Sequence, residues 1–150
     1  MTHASRLGIF ALVALACAFA GGCGGSSTFV RQSAGWKSIE LRPGLSGDFE
    51  QSWQTAVDTI ARNYDIEIMD KSSGYMRTGW KYGILGQATN VMAGRITVKF
   101  PSVTNPDRVD VKTDAQRFNQ WTSTWEEGVD SRFERDVINE LSGRLGRTAQ

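Results

Sequence analysis

Asp48-Phe49-Glu50-Gln51-Ser52-Trp53-Gln54-Thr55-Ala56-Val57-Asp58-Thr59-Ile60-Ala61-Arg62-Asn63-Tyr64, followed by Asp65-Ile66-Glu67-Ile68-Met69-Asp70-Lys71-Ser72-Ser73-Gly74-Tyr75-Met76-Arg77-Thr78-Gly79-Trp80-Lys81-Tyr82, decides the fold of this chain. In the first half, Phe49, Trp53, Val57, Ile60 and Tyr64 recur at helical spacing, and Asp48 with Gln51 three places on can cap the free amides at the helix start. In the second half the period drops to two. Ile66 and Ile68 alternate with Asp65, Glu67 and Asp70, and Lys71 to Gly74 is a turn. The next run places Met76, Thr78, Trp80 and Tyr82 on one face and Arg77 and Lys81 on the other. A helix followed by an antiparallel hairpin is the expected unit.

Downstream, Arg95-Ile96-Thr97-Val98-Lys99-Phe100 and Arg108-Val109-Asp110-Val111-Lys112-Thr113-Asp114-Ala115 alternate cleanly around the Asn105-Pro106-Asp107 turn signal. Upstream, Trp36 to Arg42 alternates too and forms a candidate first strand, closed by Pro43-Gly44. A last helix is expected from about Asp130 to Leu145, with Phe133, Val137, Leu141 and Leu145 at intervals of four and Ser131 and Glu134 as a capping box. Trp80 and Tyr82 are expected in the core with Met76. Arg77, Lys81, Arg95 and Lys99 are expected on an outward sheet face, paired across strands with acids such as Asp110. Two helices with single apolar stripes and a sheet with one apolar face predict a two-layer α+β sandwich, an antiparallel sheet of about four strands with both helices on one face.

Two stretches escape this periodicity. Gly83 to Gly94 sets Ile84, Leu85, Val91 and Met92 among glycines and small polar residues, either as a loop folded over the sheet edge or as an apolar flap. Phe118 to Trp125 places Trp121 and Trp125 in a polar setting; a continued strand would put both on one face, and a loop leaves their directions open. Ile84, Leu85, Val91, Met92, Trp121 and Trp125 are the candidate contact surface.

The run from helix through Tyr64-Asp65-Ile66-Glu67-Ile68-Met69-Asp70 to Ser73-Gly74-Tyr75-Met76-Arg77-Thr78 resembles the repeated unit of the outer-membrane assembly lipoprotein BamC (NlpB) family. The likeness covers roughly residues 48–80, with weaker support from the final helix. It implies a helix-grip type of fold and a place in the bacterial envelope, with envelope or outer-membrane assembly proteins as partners.

The N-terminus points the same way. Arg6 and the uncharged run Leu7 to Ala20 have the length of a signal-peptide core, short of the roughly twenty residues a membrane-spanning helix needs. Ala20-Gly21-Gly22-Cys23 resembles a lipobox in which Cys23 takes the lipid and becomes the new N-terminus, although the usual leucine three places before the cysteine is Ala20 here. Ala18-Phe19-Ala20, an ordinary A-x-A cleavage site, is the alternative, and would release a soluble periplasmic protein. The expected organisation is a signal peptide over 1–22, a lipidated Cys23 with a flexible tether over 23–35, and one α+β domain over 36–150. A coil of about a dozen Gly/Ser-rich residues spans roughly 20 Å. Gly24 rather than Asp after the cysteine favours the periplasmic face of the outer membrane.

Composition then narrows the chemistry. Loss of residues 1–22 removes Arg6, the only His and Cys17, leaving 16 basic against 16 acidic side chains. A neutral domain has no electrostatic claim on nucleic acid. Without histidine and with Cys23 alone, His/Cys metal sites and histidine-assisted nucleophiles are ruled out, and no G-x-S-x-G or S-x-x-K stands in the mature chain. Gly83 and Gly86 lack the Lys-Ser/Thr of a phosphate loop. Carboxylates at Asp107/Asp110 and Glu126/Glu127/Asp130 are expected to be solvated faces. The sequence therefore predicts no catalytic residue, no metal and no cofactor. It points to a lipid-anchored, non-enzymatic scaffold or assembly factor acting by protein contact, with a small-molecule or lipid-binding module in the helix–sheet cleft as the alternative.

Overall fold

A computed structural model describes residues 28–146. Cys23 and the expected export signal lie outside the described residues. In chain order the elements are β1 (Phe29–Val30), β2 (Lys37–Glu40), α1 (Phe49–Ala61), β3 (Ile66–Asp70), β4 (Tyr75–Thr78), β5 (Lys81–Tyr82), a 3-10 turn at Ile84–Gly86, β6 (Met92–Lys99), β7 (Arg108–Asn119), β8 (Thr124–Asp130) and α2 (Ser131–Leu145). The α+β class stands, with two helices and an antiparallel sheet. That sheet has eight strands rather than about four, ordered β1-β8-β7-β6-β4-β3, with β2 also on β7 and β5 also on β6.

The long pair β6/β7 is its spine, in register from Met92 opposite Arg117 to Lys99 opposite Asp110. On one face, Phe100 meets Phe49 edge-on at 5.5 Å and lies 6.0 Å from Trp53, both on α1. On the same alternation, Gly94 lies under Phe133 of α2. Ile96, Val98, Val109 and Val111 are buried between them. Arg95, Thr97 and Lys99 alternate to the other side, where Arg95 meets Asp114 at 3.1 Å.

Asp48 caps α1 as expected, its carboxylate accepting from the Gln51 amide at 3.0 Å. Helix α2 starts one residue earlier than a Ser131/Glu134 capping box implies. Asp130 is the cap, accepting from the amides of Arg132 and Phe133.

Two corrections share one cause, a single-residue offset, and a third is separate. Arg77 pairs with Thr97 but Lys81 pairs with Gly94, so four steps along β4 and β5 oppose three along β6. The extra residue is a bulge and reverses which face every later side chain takes. The Ile96 amide bridges the gap by donating to the Thr78 hydroxyl at 3.0 Å. Met76 and Thr78 stay buried, whereas Trp80 and Tyr82 turn to the charged face instead of the core. A second offset between Ile66 and Ile68 does the same to β3, which is why Ile68 is exposed rather than half-buried. Finally, Phe29 and Val30, inside the stretch read as tether, pair with Asp130 and Val129, and Phe29 is buried in the core. The described fold therefore includes residues from Thr28 on, inside the stretch expected as tether over 23–35.

Candidate functional site

The two irregular stretches meet at one end of the sheet, but not as one apolar patch. Gly83 takes φ +76°, Leu85 φ +57° and Gly86 φ +71°, so the chain coils into a left-handed turn after β5. Ile84 swings inward against α2 and is buried, and Met92, now the first residue of β6, is buried as well. Leu85 and Val91 are partly buried against the same core. The Gly83 amide donates to the Met92 carbonyl at 2.8 Å and the Phe118 amide to the Val91 carbonyl at 2.9 Å, tying the segment to the sheet at both ends. Ile84 and Met92 are thus core residues rather than contact residues. The loop's apolar side chains are spent on the fold.

Trp121 and Trp125 separate differently. Residues 118–125 form neither one continuous strand nor one loop: β7 and β8 run to Asn119 opposite Thr124, with a turn between. Asn119 fixes that turn, its side-chain oxygen accepting from the Trp121 amide at 2.9 Å and from the Thr122 amide at 3.4 Å. Trp121 stands at the tip, 98% exposed. Trp125 lies opposite Phe118 on the strands, the rings 5.5 Å apart and edge-on, and a second edge-on contact at 5.5 Å joins it to Tyr82, itself 49% exposed. Tyr82 is expected in the core from sequence and is instead half exposed here, and Phe118 carries no expectation of its own. The bulge hides Tyr82, and Phe118 was legible only once β7 was known to reach Asn119.

The charges of the adjoining face are mostly self-paired. Arg95 and Lys112 share Asp114 at 3.1 and 3.3 Å, and Arg77 reaches Glu67 at 3.3 Å. Lys99 sits opposite Asp110 but donates to the Ser73 carbonyl, whereas Lys81, opposite Gly94, is turned by the bulge off the outward face expected for it and donates to the Asn63 carbonyl at 2.7 Å. Of the suspected acidic clusters, Asp110 engages Ser38 and Arg108, Glu126 engages Arg31, Arg117 and Asn119, and Asp130 caps α2. Among the described residues no group of three or more His, Cys, Asp or Glu side chains is placed to hold a metal. The helix–sheet interface is packed by Trp53, Ile60, Met76, Phe100 and Leu141, all buried.

Glu126 is the electrostatic link between the hairpin and β1. The Asn119 amide, and after it the Arg31 guanidinium, hold its carboxyl below the usual range, against the opposing pull of partial burial. A depressed folded value means that this contribution is present above the unfolded pKa of about 4.3 and is lost as pH falls through the lower folded one. Acidification to below the ordinary glutamate range is therefore expected to loosen the Arg31 side chain. An NMR titration of the Arg31 Nε–H checks this, and a signal unchanged through that range would refute it.

Neither the models of known protein families nor the sequences of characterised proteins match this chain.

Proposed function

We propose that this chain is a lipid-anchored envelope protein without enzymatic activity, a scaffold or assembly factor that works by protein contact through the aromatic tip of the β7–β8 hairpin. The observation that carries the reading is Trp121, wholly exposed on a turn that Asn119 holds in place. An exposed tryptophan costs solvation but loses little freedom when a partner covers it, which is why such residues anchor interfaces. Trp125 and Tyr82 extend the apolar surface behind it.

The finer fold reading is a two-layer, helix-grip type sandwich with both helices over the Gly94–Phe100 face. The order helix, strand, turn, strand that resembles the BamC unit supports this, and supports the periplasmic face of the outer membrane as its place. Lipidation at Cys23 would leave four residues between it and Thr28, at most about 17 Å of extended chain. The domain would then be held against the membrane surface.

A photo-crosslinking amino acid in place of Trp121, with the same probe at exposed Gln54 of α1 as control, tests the reading in intact cells. The expected result is an envelope-protein adduct from position 121 alone, lost when Cys23→Ala removes the anchor. No adduct, or the same adducts from both positions, overturns it. Trp121→Ala is expected to abolish the contact while changing stability by less than about 0.5 kcal/mol, since the side chain packs on nothing. Thermal unfolding of the variant checks that second half.

A further inference from the structure

Strand β8 is paired on one side from Thr124, opposite Asn119, to Gly128, opposite Ala115. On its other side β1 covers only Val129 and Asp130, opposite Val30 and Phe29. Beyond Val30 the Gln32 amide turns back to the Val30 carbonyl at 3.0 Å, and Gln32 to Ala34 line a cleft with Trp80 and Arg95 instead of following β8. Trp125 to Glu127 are left as a free edge that ends at the Trp121 turn.

Backbone alternation decides what that edge presents. The Phe118 amide bonds to Val91 on the β6 side, so Arg117 and Asn119, one step either way, turn to β8 and meet Glu126 and Thr124. Trp125 and Glu127 therefore turn their N–H and C=O groups away from β7, and no hydrogen bond among the described residues takes any of the four. Val129, next in the same alternation, is the residue that β1 pairs. Trp125 and Glu127 also share the sheet face away from the helices. There the Trp125 ring meets Phe118 and Tyr82 edge-on at 5.5 Å. Glu127 is exposed and forms no ion pair among the described residues, taking only the Gln116 amide at 3.2 Å. The cations around it are engaged elsewhere, Arg31 with Glu126, and Arg95 and Lys112 with Asp114.

A free edge beside alternating side chains is the geometry of strand addition, in which main-chain bonds supply affinity and every second side chain supplies specificity. A second copy fits it poorly, because two β8 strands centred on Glu126 or on Glu127 would set like charges opposite each other. We infer that an extended segment of a partner protein adds to β8 as a further strand beside Trp125–Glu127, antiparallel as β1 already is, with a Lys or Arg opposite Glu127 and an apolar residue opposite Trp125. The inference rests on the contact reading above and names what the partner presents beside the Trp121 tip.

An NMR titration of the isotope-labelled mature full-length chain with the peptide acetyl-Thr-Lys-Thr-Val-Thr-amide tests it. The Trp125 and Glu127 amides are expected to shift, with a Kd of about 1 mM. N-methylation of the peptide's lysine and valine amides, the two that would face β8, is expected to abolish binding, whereas N-methylation of the threonine between them is expected to leave it unchanged. Glu127→Gln is expected to weaken the peptide by about threefold, the worth of one cross-strand charge pair. Glu127 is exposed and its substitution leaves the fold in place, which a thermal melt verifies. No shift up to about 10 mM peptide, equal binding of the two N-methylated peptides, or binding indifferent to Glu127→Gln overturns the inference. Shifts of the same amides on raising the protein concentration alone assign the edge to a second copy and overturn it as well. The crosslink from position 121 can succeed under any of these results, so strand addition and the contact reading fail separately.

Discussion

Replacing Asp130 by alanine is expected to lower the unfolding free energy by about 3 kcal/mol. The side chain is only 1% exposed and its carboxylate accepts three hydrogen bonds from two different parts of the chain. Two come from the first-turn amides of α2, Arg132 at 3.0 Å and Phe133 at 3.1 Å. The third comes from the Thr28 hydroxyl at 2.6 Å, just before β1. Loss of the helix cap alone costs about 0.5–2 kcal/mol, and a hydrogen bond to a charged group contributes about 1.5–3 kcal/mol. Thr28→Ala removes only the third bond and is expected to cost about half as much. Asp130→Asn keeps an acceptor for the helix amides and should fall between the two. Urea unfolding followed by tryptophan fluorescence measures all three, and a loss below about 1 kcal/mol for Asp130→Ala would show that the cap carries little. The same residue ties the start of the folded unit to β8 and α2, since the Ser131 amide also donates to the Thr28 carbonyl at 3.0 Å. Any pull on an N-terminal anchor would reach the core through this junction.

What the sequence made legible, and what it did not, divides along a physical line. Apolar periodicity located α1, α2 and the β6/β7 spine because burial on a single face imposes it over many residues. The bulges at Glu67 and at Gly79-Trp80 left no mark in that pattern. An inserted residue shifts parity by one, and the run Met76, Thr78, Trp80, Tyr82 reads as one face whether or not the shift occurs. Strand β8 was hidden for a related reason. It carries Glu126 and Glu127 side by side, so it lacks alternation, and its inward position is Gly128, whose missing side chain makes room for Phe29 and the Val30 carbonyl. Phe29 itself sat among Gly and Ser and resembled a spacer. At the candidate site the polar setting marked Trp121 but left its direction open, and the inward turn of Ile84 and Met92 depended on φ values at Gly83, Leu85 and Gly86 that composition does not specify.

Gly94 and Phe133 should show the largest coupling in the protein. A Cβ built on Gly94 would stand 2.6 and 2.7 Å from the Phe133 ring and 2.9 Å from Cδ1 of Ile84, all inside van der Waals contact. The ring fills the space a side chain would take, and Phe133 is buried with a tilted contact to Tyr64 at 6.4 Å. Phe133→Ala is therefore expected to cost about 3–5 kcal/mol, as removal of a large buried ring does. Gly94→Ala alone is expected to cost about 1–3 kcal/mol through overpacking, because neither the ring nor Ile84 can retreat without moving α2 or the left-handed turn. In the double variant the new methyl enters the cavity left by the ring, so its penalty should vanish or reverse. The cycle should give a coupling of about 1–3 kcal/mol in the stabilising direction. Strictly additive losses would mean that Gly94 is required by its backbone and not by the ring above it. Because Ile84 shares the contact, Gly94→Ala should also disturb the Gly83–Gly86 turn and, one strand away, the packing of Tyr82 on Trp125. Crosslinking from Trp121 in that variant would then report whether the hairpin tip needs a rigid base, which is the condition for a preformed contact surface.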